Sequence, residues 1–272
     1  MPSAPQGSNI VQSLAKGLEI LSAFSEGEML GNQQLVELTG LPKATVSRLT
    51  TTLVALGYLR VDPLTRKLLM GTRLLGMGAS VQRKIGLLRV ARPFMERLSA
   101  ETGLSVIVGT RDRLGLVVLE AIRPPDEKRL VINVDVGTVL PIAYTAIGLA
   151  YLVAAPVKER TQILEGLRRR FPEDWPATRE RIEHAHAEYA RQGFVTTQRS
   201  WGRNVNGVAV PFSPNPRNSL YAFNLVGPAT RMQVTRLRQE LGPRLLQMTQ
   251  DLRDAMRRSP APRLAPPEIY EP

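Results

Sequence analysis

The stretch GLPKATVSRLTTTLVALGYL, residues 40–59, decides how this chain is to be read. Gly40 suits the left-handed residue that closes one helix. Leu41 then leads into Pro42, whose fixed φ and missing N–H fit the first turn of the next. That helix runs to about Leu56, and Gly57 stops it. At about 100° per residue, Val46, Leu49, Leu53 and Leu56 fall on one face. Ala44, Ser47, Arg48 and Thr51 fall on the opposite face, with Lys43 and Thr45 near the N-terminal end. Ala44 is small enough to let that face come close to another surface. Serine, threonine, arginine and lysine offer donors to phosphates and base edges, and a helix N-terminus favours phosphate. The stretch predicts a helix that enters a groove of DNA, against the plainer reading of a core helix with a solvated outer face.

The flanks support this. Apolar residues recur at Val11, Leu14, Leu18 and Leu21, with Phe24 at the end, which predicts a helix that Ser13 can cap. Glu26-Gly27-Glu28 breaks it. Asn32 is expected to cap a short helix through Thr39, which Gly40 ends. Tyr58–Asp62 and Lys67–Met70 read as strands joined by Pro63-Leu64-Thr65-Arg66, a hairpin. Three helices, a tight turn before the third and a basic hairpin after it predict a DNA-binding unit. Its contacts would come from Lys43, Thr45, Ser47, Arg48 and Thr51 on the helix and from Arg60, Arg66 and Lys67 on the hairpin.

Farther on, Leu74, Met77, Val81, Ile85 and Leu88 form a stripe near the spacing of paired helices. Gly76, Gly78 and Gly86 weaken that helix in isolation. It reads as a linker that packs on something, such as its twin in a dimer. After a helix through Glu101 come β-rich runs at Ser105–Thr110, Leu114–Ile122, Leu130–Asp135, Phe194–Arg199, Val205–Phe212 and Leu220–Val226. Helices are expected between them at about 145–155, 158–170 and 178–192, and a last one over roughly 230–258. The interleaving predicts an α+β domain with an antiparallel sheet.

Bulk properties set the bounds. The 272 residues suffice for about two domains, and 43% apolar against 22% charged content suits a chain that buries a real core. There is no apolar run of about 18 residues, no secretory pattern at the start, and no cysteine. A cytoplasmic location is expected, without disulfides or thiolate metal sites. The formal charge is +12, which suggests a polyanionic partner, yet residues 1–80 hold only seven Lys and Arg against five Asp and Glu. Arg168, Arg169 and Arg170 read as a solvated helix end. His184 and His186 diverge on a helix and make a poor metal pair. No nucleophile–histidine pair, phosphate loop or paired carboxylates stand out, so no enzyme, cofactor or metal is expected.

The wording of several segments goes further. VQSLAKGLEILSAF (11–24), GLPKATVSRLTTTLVALGYL (40–59) and GTRLLGMG (71–78) resemble the winged helix-turn-helix of the IclR family of bacterial transcriptional regulators. LPIAYTAIGLAYLVAAP (140–156) and QGFVTTQRSWGRNVNGVAVPF (192–212) resemble that family's C-terminal effector domain. The resemblance implies a DNA-binding domain over 9–72, a linker helix over 73–91 and a GAF/profilin-like effector-binding domain over 92–259. By composition, residues 1–8 read as a disordered arm and 260–272 as a Pro-rich tail. The expected partners are a double-stranded DNA operator, a small organic acid and further copies of the chain, as a homodimer or a dimer of dimers, with no membrane.

The resemblance implies that Thr145, Ala146 and Ile147 line an effector pocket where free N–H groups at a helix N-terminus receive a carboxylate. Thr145 would serve as a plain cap if no ligand binds there. The pocket's second half, with Thr197, departs from the family pattern. Ser200 stands at an acidic position, Asn204 replaces a glycine, and Gly207 stands at a Cys/Ser position. Gly207 leaves space, Trp201 offers an aromatic face, and Arg199 or Arg203 could grip a carboxylate, so a larger acid is expected, with aromatic acids among the candidates. The alternative is a ligand-binding protein or enzyme of GAF-like fold that does not bind DNA.

Overall fold

A computed structural model describes residues 10–24, 29–124, 134–199, 204–214 and 220–258. The expected arm, the Pro-rich tail and most of the expected strand over 130–135 lie outside these residues. The chain divides into two compact units, Met1–Lys84 and Ile85–Pro272.

In the first unit, α1 (Gln12–Ser22), α2 (Asn32–Thr39) and α3 (Lys43–Ala55) precede the hairpin of β1 (Leu59–Val61) and β2 (Leu68–Met70). Ile20, Phe24, Leu30, Leu35, Leu41, Val46, Leu53, Leu59 and Leu68 form its core. Gly40 closes α2 at φ 68, its N–H donating to the Val36 carbonyl at 2.8 Å. The strands pair antiparallel, Leu59 with Met70 and Val61 with Leu68, and Leu30 adds a bridge to Leu68.

Several local expectations are corrected. The N-cap of α1 is Val11, with no side-chain cap bond, so Ser13 sits inside the helix. The N-cap of α2 is Gly31, whose N–H donates to Gln34 Oε1 at 2.9 Å. Asn32 is the first helical residue instead, and its Oδ1 accepts from Thr50 Oγ1 at 3.3 Å. Only the end of the α1 stripe enters the core: Phe24 is buried and Leu21 packs against it, along with the buried Gly17 and Ile20, whereas Val11, Leu14 and Leu18 are 63%, 62% and 55% exposed.

The helix expected over 73–91 is two helices. α4 (Arg73–Lys84) ends at Ile85, whose ψ of 86° is not helical, and α5 (Gly86–Thr102) starts anew. Ile85 and Leu88 therefore belong to the second unit, in which Leu88 is buried.

That unit is built on β3 (Ser105–Asp112), β4 (Gly115–Ile122), β5 (Val139–Pro141), β6 (Val195–Gln198), β7 (Val205–Phe212) and β8 (Tyr221–Pro228). They form one antiparallel sheet in the order β5-β4-β3-β8-β7-β6. Side chains alternate across it with period two. Ile107, Leu116, Ala209 and Val226 face α6 (Ala146–Ala154), α7 (Val157–Arg170) and α8 (Trp175–Gln192). Val106, Val208, Phe212, Phe223 and Leu225 face α5 and the C-terminal helix. All residues of α6 from Ala146 to Val153 are buried, which is why its sequence is apolar all round.

The C-terminal helix begins as α9 (Val234–Arg236), passes through a π turn at Leu237–Leu241 and continues as α10 (Gly242–Arg258). The Gly242 N–H donates five residues back, to Leu237. Pro243 has no N–H to keep the ordinary ladder there, and a π turn is one way a helix absorbs that loss.

Candidate functional site

The polar face of α3 is open. Lys43, Ser47, Arg48 and Thr51 are exposed and Thr45 is half-buried, while Arg60, Arg66 and Lys67 stand exposed on the hairpin. The buried side consists of Val46, Thr50 and Leu53. Leu56, expected on that side, is the C-cap and half exposed. Thr50 donates to the Val46 carbonyl at 2.9 Å and reaches Asn32, tying α3 to α2. Thr51 and Thr52 donate to the carbonyls of Ser47 and Arg48, each at 2.9 Å.

The hairpin turn is pinned by Asp62. Its Oδ1 accepts from the Thr65 N–H at 2.7 Å, the Thr65 hydroxyl at 2.8 Å and the Leu64 N–H at 3.2 Å. These bonds, the Thr65 N–H first, hold the carboxyl below its usual range. Arg66 takes a left-handed φ of 58° in the turn that carries it. Arg73, a residue the sequence reading passed over, lies 5.4 Å over the Tyr58 ring and donates to the Leu56 carbonyl at 3.3 Å. It fastens the start of α4 to the base of the hairpin.

Beside this face lies an apolar groove within the same unit. Leu14, Leu18 and Leu21 of α1, Leu49 and Leu53 of α3, and Leu74 and Met77 of α4 line it, with Thr45 and Arg48 on its border. Met77 and Val81 are 55% and 62% exposed. The stripes 11-14-18-21 and 74-77-81 both step by three and four, the spacing of helices that pack side by side.

In the second unit a small cavity of about 20 Å³ lies between the sheet and the N-terminus of α6. Thr145, Ala146, Thr197 and Gly207 line it as expected. Ile147 does not: it is fully buried in the core, and only its N–H remains to serve the site. Arg199 is exposed and not part of the lining. Ser200, Trp201 and Arg203 lie outside the described residues. The remaining walls are Ile107, Val134, Leu140, Val205, Asn224 and Val226. The sequence reading missed these, although 205/207 and 224/226 are alternate strand positions on one face.

Thr145 caps α6, its hydroxyl accepting from the Gly148 N–H at 3.2 Å and donating to the Pro141 carbonyl at 2.9 Å. The Ala146 and Ile147 N–H groups come before any intrahelical acceptor can reach them. Gly148 lets this turn rest on the chain ahead of it, because a Cβ there would collide with the Ile142 main chain. Arg181 of α8 braces the same approach, donating to the Ala143 carbonyl at 3.2 Å and lying 4.6 Å over the Tyr144 ring.

Gly207 does not enlarge the cavity. A Cβ there would sit 3.2 Å from the Ala146 Cβ and 3.2 Å from the Asn224 amide, so the glycine brings α6 close to the sheet and the freed space is already filled. Among the described residues the cavity wall carries no charged side chain, no cluster of metal-ligating groups occurs, and no helix is long and apolar enough to cross a membrane.

Two family models match the chain: the IclR helix-turn-helix domain over residues 13–63 and the bacterial transcriptional regulator IclR C-terminal domain over residues 79–254. The HTH-type transcriptional regulator TsaQ1/TsaQ2 of Comamonas testosteroni is 57% identical over 264 residues, covering 97% of this chain and 95% of the relative. The crystal structure of an IclR family transcriptional regulator from Brucella abortus superposes with a TM-score of 0.80 at 37% identity, covering 91% of this chain and 93% of the other. An IclR homolog from Microbacterium hydrocarbonoxydans, complexed with 4-hydroxybenzoate, has the same fold, with a TM-score of 0.68 at 19% identity over 90% of this chain and 97% of the other.

Proposed function

Since the chain belongs to the IclR family of bacterial transcriptional regulators, we propose that it works in the cytoplasm as a homodimer, or a dimer of dimers, on a DNA operator, and that a small carboxylic acid in the α6 cavity modulates its grip. The observation that carries the DNA part is the open face of α3, which aligns Lys43, Ser47, Arg48 and Thr51 on one side of a helix anchored by Val46, Thr50 and Leu53. Arg48 suits base edges, and Arg60, Arg66 and Lys67 suit the phosphates beside them. The second copy covers the groove between α1 and α4, and two α3 helices then meet successive major grooves at a pseudo-palindromic site.

The carboxylate seats on the Ala146 and Ile147 N–H groups, where the helix dipole favours an anion. The acid shifts operator affinity by binding the two states of the regulator unequally. The relatives this chain matches are regulators, not enzymes.

The test is selection of a binding site from random DNA, followed by titration at fixed salt. Arg48→Ala is expected to weaken the selected site by roughly 5- to 150-fold, the worth of one good base contact. Lys67→Ala should weaken all sequences alike and lower the salt slope by about 1. A selection that enriches no motif overturns the DNA reading. A thermal-shift panel of aliphatic and aromatic acids, 4-hydroxybenzoate among them, tests the effector reading, because a ligand of the folded state raises the melting temperature.

A further inference from the structure

We propose that Leu64, at the tip of the hairpin, enters the minor groove next to the major groove that receives α3 and selects against guanine there, so that the operator carries an A·T pair at that flanking position. This rests on the reading of α3 as a DNA-binding helix and adds to it a contact made without hydrogen bonds.

Leu64 is 91% exposed, more than any other large apolar residue among those described. A lone exposed leucine is ordinary on a protein surface. What distinguishes this one is the turn that presents it. Pro63 before it has a fixed φ and no N–H. The N–H groups of Leu64 and Thr65 and the Thr65 hydroxyl all donate to Asp62 Oδ1. The Arg66 N–H donates to the Asp62 carbonyl at 3.0 Å, and the Asp62 N–H to the Lys67 carbonyl at 2.8 Å. The tip is therefore stiff, and from Asp62 to Arg66 its main chain holds no unspent donor for a base edge. It offers an apolar side chain instead, held outward by a turn that needs little further ordering on binding.

The surroundings of the tip point to DNA as the occupant. Arg60, Arg66 and Lys67 stand exposed on the same hairpin, and the one carboxylate among them, Asp62, is engaged by the turn's own donors. Arg66 of the tip and Thr51 of the open face of α3 border a common cleft with Asn32, Thr50, Val54 and Val61. A hairpin that flanks α3 in this way meets the phosphate strand bounding the major groove, and the far side of that strand is the minor groove. At about 6 Å wide, the minor groove admits a side chain on a tight turn but not a helix.

A·T and G·C pairs both present acceptors on the minor-groove floor, and G·C adds a donor, the 2-amino group of guanine. A leucine over the floor strips water from the acceptors of either pair alike. Only guanine also loses the partner of a donor, and leucine has no acceptor to replace it. The selection thus works by exclusion.

Titration of the full chain at fixed salt on variants of the selected binding site tests this. Each pair flanking the segment read by α3 is set in turn to A·T, to G·C and to inosine·C, which keeps the major-groove edge of G·C but lacks the 2-amino group. At one flanking position in each half-site, G·C is expected to bind on the order of 10-fold more weakly than A·T, and inosine·C to bind as A·T does. Leu64→Ala, which leaves the core untouched, should bring the three probes together. Equal binding of all probes, inosine·C that is as weak as G·C, or a discrimination that survives Leu64→Ala overturns the role of Leu64 and leaves recognition by α3 standing. A selection that enriches no motif overturns both.

Discussion

Glu188 illustrates what a single buried group contributes. It is 1% exposed on α8, and its carboxylate accepts from the Thr196 N–H at 2.8 Å, the Thr196 hydroxyl at 2.7 Å and Gln192 Nε2 at 3.0 Å, with Arg238 of the π turn 4.0 Å away. It fastens edge strand β6, and so positions Thr197 in the cavity wall. Glu188→Ala is expected to cost roughly 2 kcal/mol in urea unfolding, since it strips partners from partly buried donors, and Glu188→Gln should recover part of that. Residues of this kind were hard to read in the sequence. The exposed face of α3 was legible because one helical period sorts its side chains. Glu188, Asn224 and the inward turn of Ile147 depend on which sheet face meets which helix, and strand alternation alone does not say which face is inside.

At the scale of elements, capping and pairing give two expectations. Thr145→Ala removes the cap of α6 and should cost about 1 kcal/mol, while weakening any acid held at that turn. Between α7 and α8, burial first and Arg160 second keep the His186 pKa below its ordinary 6.5. The unfolded chain therefore takes up this proton at a higher pH than the folded one, and stability falls as the pH drops below that value. His186→Gln should flatten the change in urea midpoint between about pH 7.5 and about pH 5.5. The three helices and hairpin of the first unit, and five of the six strands of the second, stood out in sequence from periodicity and glycine punctuation. β5 did not, because three residues ending in Pro141 are too few for alternation to register. The break at Ile85 was hidden because the apolar stripe of α4 runs on in register into α5. The π turn was hidden because Pro243 announces a disturbance but not its form.

At the scale of the molecule, the outward stripe of α1 is the informative feature. The sequence shows the stripe but not which side it faces; the structure turns Leu14 and Leu18 to solvent beside Leu74 and Met77. Contiguous apolar surface of this kind suits the contact with a second copy proposed above. Leu14→Asp combined with Leu18→Asp leaves Ile20 and Gly17 in place and should yield folded monomers in sedimentation, with operator affinity sharply reduced. If the doubly substituted chain remains a dimer, the groove is not the interface.

The proposed dimer, with a second copy in this groove, also bears on dosage. While dimers are scarce, their number grows as the square of the chain concentration, and occupancy of the operator follows it. Halving the expression of such a regulator would empty about three-quarters of a sparsely occupied site. The apolar rows on α1 and α4 would thus give the gene a threshold, set by protein copy number, that operates even before any effector is present.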